Sequence, residues 1–468
     1  MAREITPEEV QQVADMVARA RAAMEAIKDY DQDRVDRLVR ALGWACGNEK
    51  TFVRIAQMGV DESGIGDRAG RGGKRHKVLG VLRDALRQKS VGVVEVDEAR
   101  GLIKIAKPAG VIASLIPTTN PELTPPVTGL YAIKAKDAVI FSPHPRSKKT
   151  TAEMVRVMRE TMKSLGAPAD IFQVVENPSI PLTGELMAQC DLTLATGGKP
   201  MVKAAYSSGK PAYGVGAGNS TMVIDETADI KDAAYNSRVS KTSDYGSGCS
   251  ADGNLLIDDR IYDAMRDALV AEGGHLCNAE EKAKLEKALW DAHGHRTIDT
   301  VAVSAQRIGE IAGFKVPDDR KFIMVEHDRI GKDQKFSSEK LCVVMALFRY
   351  HGFDDALVKV KQIYEVGGKG HSCGVYSFND DHIMALAHVA PVSRMMVRQA
   401  QSKANAGSFT NGMPMTSSLG CGVWGGNITN ENVALKHYLQ ATWVSKPIPE
   451  DRPSDEWLFG EFYNTATM

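Results

Sequence analysis

One cysteine in a run of small residues is the feature of this chain best suited to chemistry. Residues 240–251 read Ser240-Lys241-Thr242-Ser243-Asp244-Tyr245-Gly246-Ser247-Gly248-Cys249-Ser250-Ala251. Gly246 and Gly248 let backbone and substrate come close to the Cys249 sulfur. A free thiol has a pKa of about 8.5, so little of it is thiolate at neutral pH unless its surroundings lower that value. An activated sulfur with this clearance would attack a carbonyl carbon. On these residues alone, a structural cysteine packed in a glycine-rich turn is an equal alternative.

Other segments suit anionic ligands. Thr196-Gly197-Gly198-Lys199-Pro200 follows an apolar run and opens a helical pattern. Free backbone N–H groups at such a helix start bind phosphate well, although strand–turn–helix units with two glycines are common. Residues 214–219, which include Gly214, Gly216, Gly218 and Asn219, are too glycine-rich for a regular strand. They suit close approach to a cofactor, or a plain bend. Residues 66–77 are glycine-rich and basic and read most simply as a solvated loop. His293 and His295 flank Gly294 without a completing ligand set, there is no HExxH, and the seven cysteines are scattered. No metal site and no disulfide framework is expected.

The elements that must position these groups follow from periodicity. Residues 7–28 are helical, with Val10, Val13, Met16 and Val17 on one face, and a second helix is expected near 31–46. Residues 93–105 read as a β-hairpin. Strands are expected at 110–116, 138–142, 171–175 and 192–195. Thr150 and Glu153 suggest a capping box, followed by Met154, Met158, Met162 and Leu165 on a buried face. A second α/β region is expected over 226–430, with helices near 260–272 and 279–292 and strands at 321–325, 342–347 and 373–377. Repeated βαβ units imply parallel sheets with ligands beyond the carboxyl ends of their strands. The expected division is a cofactor-binding domain at 1–225, a catalytic domain at 226–430 and an oligomerisation segment at 431–468.

Composition narrows the class. The chain has 468 residues, 43% hydrophobic and 25% charged, with a formal net charge of -1. That balance gives no support for a nucleic-acid partner. No signal-peptide core and no run of 18 apolar residues occurs, so a cytoplasmic protein with no membrane partner is expected. Trp443, Trp457, Phe459, Phe462 and Tyr463 on the C-terminal segment need a surface to cover, such as a partner subunit.

Together the motifs resemble the aldehyde dehydrogenase superfamily, in particular its CoA-acylating branch. The residues that carry the resemblance are 107–111, Pro117-Thr118-Thr119-Asn120-Pro121, 195–198, 201–211, 214–219, Ser240-Lys241-Thr242 with Cys249, Ser338-Glu339-Lys340-Leu341, Gly370-His371-Ser372 and 420–427. The resemblance implies an α/β fold with a Rossmann-type cofactor domain, a catalytic α/β domain and a small oligomerisation hairpin. It implies Cys249 as nucleophile, with an oxyanion site near Thr119 and Asn120. Thr119 stands where the hydrolytic branch has its asparagine, which leaves the side-chain donor open. Glu339 matches a glutamate that holds the nicotinamide ribose. Thr196, Gly197, Gly198, Gly216 and Gly218 match the cofactor cradle. His371 matches a histidine of the acylating branch that would assist CoA, against the alternative of a loop histidine bonded to backbone.

Hydrolytic relatives carry a general-base glutamate in the segment that here spans 214–219, and this chain has none there. Without a base water is a poor nucleophile, so thiolysis by CoA is expected. His144 and Arg146, with Lys148 or Lys149, would lie by the adenosine ribose and lean the cofactor toward NADP over NAD. The segments 417–429 and 442–445 look most like enzymes acting on sulfoacetaldehyde, and Arg71, Arg75 and Arg238 are the cations expected to meet a sulfonate. A homodimer or homotetramer is expected. The competing readings are a hydrolytic aldehyde dehydrogenase, a non-redox cysteine acyltransferase, and a non-catalytic assembly protein.

Overall fold

The structure, a computed structural model, describes residues 3–463. The first helix, Pro7–Ala26, starts where Thr6 accepts from the Glu9 N–H while Glu9 reaches back to Thr6, and Pro7 fills the first turn. It buries Val13, Met16, Val17, Ala20 and Ala23. The expected second helix spans Gln32–Gly47.

The expected hairpin forms from β1 (Val93–Asp97) and β2 (Leu102–Pro108). Strands β3 (Val111–Ile116), β4 (Ala138–Pro143), β5 (Phe172–Val174), β6 (Leu192–Thr196) and β7 (Ala212–Val215) make a parallel sheet of order β5-β4-β3-β6-β7. A second parallel sheet contains β8 (Thr221–Ile224), β9 (Asn254–Asp258), β10 (Gly274–Leu276), β11 (Phe322–Glu326), β12 (Val344–Tyr350), β13 (Cys373–Tyr376) and β14 (Met395–Val397). Its order is β10-β11-β12-β9-β8-β13-β14. The last strand, β15 (Leu439–Ser445), pairs antiparallel with β2. Each parallel sheet has its own apolar core. Strands β3, β4, β8 and β9 are buried along their whole length, because helices cover both faces.

Four expectations change. Strand β8 lies before position 226 yet belongs to the second sheet, so the chain crosses between sheets in the glycine-rich segment after β7. Val433, Ala434, Leu435 and Tyr438 return to the core of the first sheet, so the C-terminal segment is partly a core element of the first half. The helix carrying Met154, Met158 and Met162 begins at Lys148, and Glu62 accepts the N–H groups of Lys149 and Thr150. A carboxylate from another helix thus replaces the expected capping box, and Glu153 pairs with Arg54 and Arg156. Residues 66–77 are no solvated loop: Arg71–Lys74 is a 3-10 turn leading into the helix Arg75–Leu86, with Arg71 fully buried.

Candidate active site

The helix Ile230–Thr242 delivers the chain to Cys249 through three successive left-handed residues: Asp244 (φ 49°), Tyr245 (φ 52°) and Gly246 (φ 71°). A Cβ at position 246 would stand 2.6 Å from the Cys342 carbonyl oxygen, so only glycine fits this turn without a shift. Non-glycine residues in this region cost about 1–3 kcal/mol each and persist only when neighbouring bonds hold them. Asp244 supplies those bonds. One oxygen accepts the Asp67 N–H (2.8 Å), and the other accepts Lys74 Nζ (2.6 Å) and Ser247 Oγ (2.7 Å). Opposing charge from Lys74 and Arg71 keeps its carboxyl below the usual range despite burial.

Cys249 follows, half-buried beside exposed Gly248. Its Sγ lies 3.0 Å from His371 Nε2. His371 is buried just before β13. Its Nδ1 lies 2.8 Å from Ser372 Oγ, which lies 3.0 Å from Ser220 Oγ, which donates back to the Cys249 carbonyl at 3.2 Å. This network matches an Nδ1–H tautomer with the Nε2 lone pair facing the sulfur. Arg394 Nη1 donates to the His371 carbonyl (2.8 Å). Burial, helped by Arg394, pushes the imidazole down to about 3. Burial, helped by the Glu339 charge, pushes the Cys249 thiol up to about 12. The resting pair is therefore a thiol facing a neutral imidazole, not an ion pair.

Glu339 and Cys249 line one cavity with Asn219, Ser220 and Lys241. Glu339 Oε1 accepts the Gly218 N–H (3.1 Å). A Cβ on Gly218 would meet the Cys249 carbonyl oxygen at 1.9 Å, so this backbone must come close to the nucleophile's own. Asn427 Oδ1 accepts the N–H groups of Gly216 (3.1 Å) and Cys421 (2.9 Å), tying the 420–427 loop to the same segment. At the carboxyl end of β6, Thr196 Oγ1 lies 3.1 Å from Ser418 Oγ. Gly198 then starts the helix Lys199–Tyr206 with no side-chain cap, but Pro200 has no N–H and the Met201 and Val202 N–H groups donate to the Gly198 carbonyl (3.0 and 3.2 Å), so this helix start offers few donors to an anion. His144 and Arg146 are exposed at the carboxyl end of β4, in the same sheet. The His144 Nδ1 accepts the Arg146 N–H, and Arg146 Nη2 reaches the Ser63 carbonyl (2.5 Å). Lys148 is taken by Asn177. The cationic end of β4, with a glycine-led helix start at the end of β6 in the same sheet, fits an anionic cofactor.

The turn at Thr119 and Asn120 joins the nucleophile loop through a lysine that sequence reasoning missed. Lys74 Nζ donates to the Thr119 carbonyl (3.0 Å), Asn120 Oδ1 (2.7 Å) and Asp244. Because Lys74 occupies Oδ1, the Asn120 amide N–H₂ faces elsewhere, and its one hydrogen bond among the described residues is a long one to Thr119 Oγ1 (3.4 Å).

Of the three arginines expected to meet the substrate, two are paired with carboxylates. Arg71 pairs with Glu122, both fully buried, and donates to the Ile65 and Thr119 carbonyls. Arg75 donates to the Gly47 carbonyl. Arg238 pairs with Glu272 and covers Tyr235. Arg71 and Arg238 are thus held by carboxylates, while Arg75 has a neutral carbonyl as its partner and keeps its charge unmatched there. Ser220, Ser372, Arg394, Lys74 and Asp244 carried no separate signal, being single polar residues that only the fold gathers.

A cysteine–histidine pair at the amino ends of β9 and β13, beside a second parallel sheet, has the anatomy of a thiol-dependent enzyme. The chain belongs to the aldehyde dehydrogenase family, whose model matches residues 2–283. It is 43% identical to a sulfoacetaldehyde dehydrogenase of an Acholeplasma species, over 96% of this chain and 94% of that one. It is 36% identical to the acylating sulfoacetaldehyde dehydrogenase of Bilophila wadsworthia, over 96% and 98%. The crystal structure of an acetylating aldehyde dehydrogenase from Geobacillus thermoglucosidasius superposes with a TM-score of 0.92 at 34% identity, covering 96% of this chain and 99% of that one.

Proposed function

We propose that this protein is a CoA-acylating aldehyde dehydrogenase that converts a short aldehyde, with sulfoacetaldehyde as the expected substrate, to its acyl-CoA. The observation that carries the reading is the 3.0 Å contact between Cys249 Sγ and neutral His371 Nε2, in a site whose 214–219 segment holds no carboxylate to activate water.

The roles follow from the geometry. As the Cys249 sulfur bonds to the aldehyde carbon, its proton passes to His371 Nε2. The new oxyanion is met by N–H donors, for which the Cys249 backbone and the Asn120 amide are the proposed sources. A bound nicotinamide would supply the hydride acceptor for this carbon. Thr196, Gly197, Gly198, Gly216, Gly218 and Glu339 are the proposed residues that hold it. Depressed basicity lets His371 return its first proton to solvent, so it is neutral again for the second half-reaction. There it takes the CoA thiol proton, the CoA sulfur bonds to the acyl carbon, and Cys249 leaves and is reprotonated. Arg146 with Lys149 supports a modest preference for NADP over NAD.

The wider context rests on surface character. Trp443, Trp457, Leu458, Phe459 and Phe462 are exposed along the C-terminal segment, and both outer strands of the β1-β2-β15 sheet are free. Such a surface supports a dimer or tetramer built there, which light scattering after gel filtration tests. No helix among the described residues is long and apolar enough to cross a membrane, in keeping with a cytoplasmic enzyme.

The test is turnover of aldehyde with CoA and each nicotinamide cofactor, with products identified by mass. Acyl-CoA should form, and omission of CoA should leave a single burst of reduced cofactor per site. Sustained turnover without CoA, giving free acid, would favour the hydrolytic alternative.

A further inference from the structure

Arg71 and Arg238 are paired with carboxylates, and Arg75 is turned to the Gly47 carbonyl; the positive charge bonded to the nucleophile loop itself comes from lysines. Lys74, Lys77 and Lys403 gather at the start of the helix Arg75–Leu86, against the segment that carries Ser243 and Asp244. Lys77 Nζ donates to the carbonyls of Lys403 (3.1 Å) and Gly407. Lys403 Nζ donates to Ser243 Oγ (2.9 Å). These partners are neutral, and Asp244, bonded to Lys74, is the carboxylate bonded within the group. Its charge is also felt by Arg71. Burial and the positive charge of Lys403 push Lys77 down to about 7, and burial with Lys74 lowers Lys403 in turn, with Asp244 opposing. A cluster of ammonium groups that weaken one another in this way is stabilised by an added anion.

The cluster is joined to the reacting groups. Lys74 holds the Asn120 side chain, and Asp244 accepts from Ser247, two residues before Cys249. Among the three lysines, Lys77 is closed off by its two carbonyls and is 6% exposed, while Lys74 uses all three donors on protein acceptors. Lys403 is half-buried with one neutral partner, which leaves two N–H donors for a ligand.

We infer that this lysine cluster receives the anionic end of the aldehyde, a sulfonate or a carboxylate, with Lys403 making the direct contact and Lys74 and Lys77 supplying the field. The inference rests on the acylating reading for the identity of the reaction. It assigns substrate selection to residues other than the arginines that the sequence suggested.

The test compares sulfoacetaldehyde with acetaldehyde, which shares its two-carbon chain and lacks the charge, in the wild-type enzyme, Lys403→Met and Lys403→Arg. The readout is the ratio of their kcat/KM values, together with protection of Cys249 from iodoacetamide by ethanesulfonate, an unreactive sulfonate. Loss of a charged hydrogen bond predicts that Lys403→Met lowers the ratio by about 10- to 100-fold, mainly through KM, with Lys403→Arg restoring most of it. Protection by ethanesulfonate should weaken in parallel. A Lys403→Met ratio equal to the wild-type ratio would overturn the inference, whether both aldehydes suffer equally or neither does. Wild-type enzyme that makes thioester from both aldehydes without preferring the anion would overturn it while leaving the acylating reading intact. Failure to make thioester from either would sink the acylating reading, and the ethanesulfonate arm would still decide the cluster's role.

Discussion

Replacing His371 by alanine is the sharpest probe of the proposed chemistry. With the Cys249 thiol raised to about 12, the thiolate fraction at pH 8 is about one part in 10⁴. Attack on the aldehyde then depends on a base that removes the proton as the carbon–sulfur bond forms. His371 Nε2, at 3.0 Å, is placed to do so. General-base assistance of this kind contributes about 10²- to 10⁴-fold, so the NAD(P)H burst in stopped flow should slow by about that factor. Thiolysis should slow as well, because the same nitrogen serves the CoA thiol. A second readout separates chemistry from structural damage. Between about pH 7 and pH 9 the variant's burst rate should rise close to tenfold per pH unit, as direct ionisation replaces the missing base. A burst within about threefold of wild type would refute the base assignment, since so small a change falls far below any general-base contribution. A large loss with no recovery at alkaline pH would assign His371 to packing.

Other outcomes follow from the same geometry. Cys249→Ala should abolish reduced-cofactor formation with aldehyde and CoA, and retained turnover would place the nucleophile elsewhere. In the free enzyme, alkylation of Cys249 by iodoacetamide should climb steadily with pH through 9, because the raised thiol pKa leaves it un-ionised there, while His371 stays neutral down to about pH 4. A plateau near pH 6–7 would reveal a thiolate–imidazolium pair instead. Glu339→Gln should speed that alkylation at fixed pH, since the carboxylate charge opposes thiolate formation, and should weaken NAD(P) binding; unchanged alkylation would contradict the electrostatic account. Arg71→Leu should cost about 3–5 kcal/mol in denaturant unfolding by leaving Glu122 charged and buried, and Arg71→Leu with Glu122→Leu should recover much of it.

The fold was legible wherever a local rule decides an element. The Thr6–Glu9 capping pair, the 3.6-residue spacing after it and the turn between β1 and β2 are written in consecutive residues. Strands β8 and β9 are not among the expected strands, although they are buried on both faces like β3 and β4, which are. Residues 66–77 misled because glycine and basic content says nothing about distant partners: Glu122, with the Thr119 carbonyl and the charge of Asp244, makes Arg71 a core residue instead of a surface cation. The capping of the helix Lys148–Ser164 by Glu62 misled for the same reason.

By itself the sequence set Cys249 among small residues, placed no carboxylate in residues 214–219, and called for βαβ units with parallel sheets. These are properties of residue type and short spacing. The tertiary structure decided which imidazole faces the sulfur, which lysine holds Asn120, and which lysine is bonded to the neutral Ser243 hydroxyl. Those facts join residues that lie 122, 46 and 160 positions apart. Burial and pairing are sums over such distant neighbours, so no window of sequence contains them.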